Sequence, residues 1–67
     1  MDYTTLEHEL DNEYQHLRHN KWNFSEEAKI RILVTTAHQL KNPVDRYWLV
    51  DFFVDRNFDR AKVLRFV

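Results

Sequence analysis

Apolar residues recur along this chain at spacings of three and four, and the recurrence breaks the chain into segments. Tyr3, Leu6, Leu10, Tyr14 and Leu17 form a narrow stripe over about Tyr3 to His19. That period predicts an amphipathic helix with a seam close to that of a coiled coil. Glu7, Asp11, Glu9 and Glu13 flank the seam, and residues 1–17 hold no Lys or Arg. Acids early in a helix also suit the positive end of its dipole. A second segment runs to about Lys41, with Ile30, Leu33, Val34, Ala37 and Leu40 on one face and Ile32 opposite, beside Ala28 and Thr35. Ser25 is placed to cap it, and Glu26 and Glu27 fill its first turn.

The next signal is Asn42-Pro43-Val44-Asp45, which reads as N-cap, proline at the first helical position and an acid in the first turn. Tyr47 to Val54 follows, apolar nearly all round, and so is expected as a central, buried helix. Its aromatics and valines also suit a strand, but the Asn-Pro start favours helix. The tail is ambiguous by pattern. Phe58, Ala61, Leu64 and Phe66 line a short last helix, whereas Lys62 to Val67 alternates as a strand would. The expected fold is therefore one all-α domain over residues 1–67. It is a three-helix bundle with a short fourth C-terminal helix as an option, and the third helix sits between the first two. The structural alternative is α+β, two helices plus a C-terminal hairpin.

Composition narrows the chemistry. The chain of 67 residues has no glycine and no cysteine. Without glycine it cannot build a P-loop, a Rossmann turn or a nucleophile elbow, each of which needs backbone where a Cβ would clash. Without cysteine it has no disulfide and no thiolate metal site. Asparagine is the best substitute for glycine at left-handed helix ends, and Asn20, Asn42 and Asn57 stand where the periodic segments stop. No apolar run is long enough to span a membrane, and Met1-Asp2-Tyr3 does not open like a signal peptide. A cytoplasmic location is expected.

Catalysis finds little footing. Ser25, the one serine, is explained as a helix cap, and no two carboxylates are paired by a recognisable motif, so the chain is read as a non-enzyme with no cofactor. His8, His16 and His19 share one side of the first segment. His16 and His19 have the spacing of a ligand pair but lack further partners, so no metal site is assigned.

Two binding readings remain. Aromatic residues make up 15% of the chain, more rings than one small bundle easily covers, and exposed apolar patches mark interaction surfaces. Trp22, Phe24, Tyr47, Phe58 and Phe66 are the candidate contacts of a small protein-protein interaction module or regulator, its partner another protein or itself in a homodimer. The rival is a small DNA-binding regulator. Arg56, Arg60, Lys62 and Arg65 crowd the C-terminal segment and could track phosphates. The formal net charge of −1 gives nucleic acid no bulk support, and the same cations could pair instead with the acidic first segment. A membrane partner is not expected.

Overall fold

The computed structural model describes residues 2–19 and 23–67. Four helices follow one another: α1 (Tyr3–His19), α2 (Glu26–Leu40), α3 (Arg46–Val54) and α4 (Arg60–Phe66). The fold is an all-α bundle, and among the described residues there is no strand. The hairpin alternative is thereby excluded, because Arg60–Phe66 is helical. No helix among the described residues is long and apolar enough to cross a membrane.

Each helix begins at a side-chain acceptor. The Thr5 N–H donates to Asp2 Oδ1 at 3.0 Å, and the Ala28 N–H donates to Ser25 Oγ at 3.1 Å. The Ala61 N–H donates to Asp59 Oδ1 at 3.2 Å. The start of α3 differs from the sequence expectation. Asn42 is not its cap and Pro43 is not its first residue. The Asn42-Pro43 peptide is cis, and the helix opens three residues later on Asp45. The Asp45 carboxylate accepts from the N–H groups of Tyr47 and Trp48 at 2.9 and 3.4 Å. The later start lets Val44 pack against the core before the helix begins. It also lets the Asp45 N–H donate to the Tyr3 hydroxyl at 2.8 Å, which fastens the connection to α1.

One core joins all four helices. Leu6, Leu10 and Leu17 of α1 meet Ile30, Leu33, Val34 and Ala37 of α2, with Leu49, Val50, Phe52 and Phe53 of α3 and Val63 of α4. The α1 seam and the strong α2 face are thus the buried faces the periodicity indicates. Two other expectations are corrected. α3 does not sit between α1 and α2, for the main helix pairings are α1 on α2, α2 on α4 and α3 on α4. Nor is α3 buried all round, because Tyr47, Asp51, Val54 and Asp55 lie along its outward side. In α4 the inward residue is Val63, wholly buried, while Leu64 and Ala61 face outward. The helix begins at Arg60, so its register puts Val63 rather than Leu64 over the core.

The rings are largely absorbed. Tyr3, Trp48, Phe52, Phe53, Phe58 and Tyr14 form a continuous ladder with successive centroids 5.0, 5.8, 5.7, 5.1 and 5.9 Å apart. Tilted and edge-to-face pairs at such distances suit the ring quadrupole. Phe52 and Phe53 are buried, and the rings at both ends of the ladder are half-buried at the surface.

Candidate functional site: a basic cleft beside the ring ladder

The turn after α3 builds the site. Asn57 is left-handed, with φ 66°, a conformation that costs a residue with a Cβ energy and that Asn tolerates best after glycine. It lets the Phe58 N–H reach the Phe53 carbonyl at 3.1 Å and the Asn57 N–H reach the Val54 carbonyl at 3.0 Å. Those two bonds are the paired closure of a Schellman motif, which usually carries an apolar contact between the same outer residues. Here that contact is Phe58 edge-on to Phe53. The glycine-free chain thus ends α3 on asparagine, and the closure holds the Phe58 ring against Tyr14 of α1.

Arg56 locks the other side of the turn. Its Nε and Nη2 donate to Asp11 Oδ1 at 3.3 and 3.1 Å, and its Nη1 donates to the Phe52 carbonyl at 3.0 Å. The guanidinium lies 3.7 Å from the centroid of the Phe52 ring. With 17% of its side chain exposed, this is a structural arginine, held by charge-assisted bonds and a cation–π contact.

Glu26 joins α2 to α4. Its Oε1 accepts from the Asp59 N–H at 3.0 Å, and its Oε2 from Lys62 Nζ at 3.2 Å. Lys62 Nζ also lies 3.3 Å from Glu27 Oε1. The Asp59 N–H and then Lys62 hold the Glu26 carboxyl below its ordinary value. Glu27 is lowered by its own backbone N–H and then by Lys62, and Lys62 is raised by Glu26 and then Glu27.

Between these anchors lies a cleft of about 450 Å³ lined by Tyr14, Arg18, Glu26, Lys29, Arg56 and Phe58, with Asn57 at its edge. Two of its charges, Glu26 and Arg56, are spent on partners within the fold. The other two, Arg18 and Lys29, have no carboxylate partner among the described residues. None of the residues outside that description is an acid. Two unneutralised cations therefore open onto one cavity beside two half-buried rings. Arg donors and a ring floor of this kind recognise carboxylates or other oxyanions.

The candidate residues from the sequence do not gather in one place. Phe58 and Arg56, one from each rival reading, meet in the cleft. Phe24 and Phe66 are half-buried and pack against the core. Tyr47 stands at the far end of α3 with 82% exposure and joins no ring contact. Trp22 lies outside the described residues. Of the C-terminal cations, Arg56 pairs with α1 as the sequence suggested, whereas Lys62 pairs with α2. Arg60 and Arg65 are exposed on α4. The histidines His8, His16 and His19 are exposed as well, and among the described residues no three His, Asp or Glu side chains gather into a cation-holding group.

Sequence reading missed Tyr14, Arg18 and Lys29 as site residues. Tyr14 and Arg18 are four apart on one helix, so their neighbourhood was legible. Lys29 reaches the same cavity only through the packing of α2 on α1.

These features define a small all-α domain with an aromatic cluster at its surface and exposed basic residues. The chain matches no protein-family model, no curated protein and no solved structure.

Proposed function

We propose that the protein is a small non-enzymatic interaction module or regulator that docks on a protein partner through the basic cleft beside the ring ladder. The observation that carries this reading is the unpaired state of Arg18 and Lys29, where the neighbouring Arg56 and Lys62 are each satisfied by a carboxylate. A partner carboxylate would find two unpaired cations beside two rings that the fold already holds in place, and preorganised rings bind with less ordering cost. The nucleic-acid reading is weaker, because two of its four cations, Arg56 and Lys62, are engaged inside the fold. Acids at Glu7, Asp11 and Asp55 also lie against the same surface and would face an incoming phosphate backbone.

Affinity capture with three forms of the protein tests the reading: wild type, Arg18→Glu/Lys29→Glu and Tyr47→Ser. Proteins held by wild type should be lost with the double reversal and kept with Tyr47→Ser, at unchanged helical circular dichroism. Capture indifferent to Arg18 and Lys29 contradicts it.

A further inference from the structure

The wall of the basic cleft is shared. Tyr14, Arg18, Arg56 and Asn57 also line a second cleft of about 510 Å³, and its remaining charges are Glu7, Asp11 and Asp55. Asp11 is taken by Arg56. Glu7 and Asp55 have no cationic partner among the described residues. One continuous surface therefore carries the unpaired Lys29 on one flank, the unpaired carboxylates Glu7 and Asp55 on the other, and the unpaired Arg18 on the wall between them.

From this arrangement we infer that the occupant of the basic cleft is the acidic flank of a second copy of this chain, in a two-fold dimer. The inference rests on the reading of the cleft as an interaction site and names its partner. A two-fold axis through the shared wall sets residue i of one copy against residue j of the other, and j against i. Lys29 of each copy then meets Glu7 and Asp55 of its mate, with Arg18 of each copy on the wall beside that contact, so the charge of both flanks is neutralised in a single interface. The formal net charge of −1 leaves no bulk repulsion to oppose the pairing. A long polyanion would neutralise the cations but would bring its charge against Glu7, Asp11 and Asp55. The second copy supplies attraction on both flanks.

Charge exchange measured by light scattering on a sizing column tests the inference. Wild type should be dimeric at about 0.05 M salt and should dissociate at least about tenfold more readily at about 0.5 M, as solvent-facing ion pairs do. Arg18→Glu/Lys29→Glu and Glu7→Lys/Asp55→Lys should each be monomeric alone, facing like charge with like. Their equimolar mixture should form a dimer, since an all-acidic surface then meets an all-basic one. Glu9→Lys/Glu13→Lys carries the same net charge on residues that line neither cleft, and it should not pair with Arg18→Glu/Lys29→Glu. The neutral form Arg18→Gln/Lys29→Gln guards against misfolding of the reversed one and should also be monomeric. A wild type that stays monomeric at low salt, a mixture that stays monomeric, or a control that pairs as well as the designed mate overturns the inference. A monomeric wild type whose capture of other proteins still depends on Arg18 and Lys29 overturns the self-pairing while leaving the interaction reading intact.

Discussion

The two ends of α3 hold a large ring each and treat it in opposite ways. At the start of the helix Tyr47 projects into solvent with 82% of its surface exposed, and its ring pairs with no other ring among the described residues. Just beyond the end, Phe58 is half-buried, edge-on to Phe53 and tilted on Tyr14. The first is the more conspicuous ring, yet single exposed apolar residues are ordinary on protein surfaces. The second lies beside two cations that the fold leaves unpaired. Unspent charge next to a fixed ring is a stronger mark of a site than exposure alone.

Substitutions that separate the two ends should rank as follows. Phe53→Ala, at the centre of the ladder and wholly buried, should cost about 3–5 kcal/mol by loss of packing and creation of a cavity, read as a lowered denaturation midpoint. Arg56→Met should cost about 1.5–3 kcal/mol, the range for hydrogen bonds to charged groups, since it frees Asp11 and the Phe52 carbonyl together. Asn57→Ala should cost about 1 kcal/mol or somewhat more, because a Cβ without a polar tip is disfavoured at left-handed φ. Asn57→Gly at the same place should be neutral or stabilising, which would identify φ as the cause. Tyr47→Ser should stay within about 0.5 kcal/mol, as surface changes do. A large effect at Tyr47 would erase the contrast between the two ends.

Much of the bundle was legible in the hydrophobic period. The seam Leu6, Leu10, Leu17 and the face Ile30, Leu33, Ala37 are buried where the spacing puts them. Of the three asparagines expected at left-handed positions, Asn57 takes one, Asn42 does not, and Asn20 lies outside the described residues. The failures have local causes. Asn42-Pro43 looked like a helix start because asparagine and proline favour one statistically. Asp45 captured the start because its carboxylate accepts two N–H groups while Val44 packs inward. The tail register was misread because Phe58 and Phe66 drew the apolar face toward Leu64, whereas the cap at Asp59 fixes Val63 as the inward residue. Ring count overstated the uncovered surface, because no one-dimensional pattern shows six rings stacking along α3. Arg56 and Asp11 are 45 residues apart, and no sequence pattern told the engaged cations from the free ones.

Acidity should probe the tie that holds α2 against α4. Glu26 and Glu27 titrate below their ordinary value of 4.5 in the folded chain. Their contribution is therefore complete above that value and is lost as pH falls through the depressed folded one. Lys62 is raised above 10.5, so its contribution is complete below that value and is lost as pH climbs through the raised one. Glu26→Gln/Glu27→Gln should flatten the acid limb of stability below about pH 4.5. The effect should be smaller than those at Phe53 and Arg56, because these groups are open to solvent. An unchanged acid limb would remove the tie as a stabilising element.

The most direct test of the central claim, that recognition happens at the Phe58 end, is a residue-resolved map of contact. Backbone amide shifts of the wild-type chain should be followed as its concentration is raised, or a captured partner is added, at low salt. The expected result is movement of Arg18, Lys29, Asn57 and Phe58 with Tyr47 unmoved. Movement confined to Tyr47 and its neighbours at the start of α3 would contradict it and transfer the site to the opposite end of the helix.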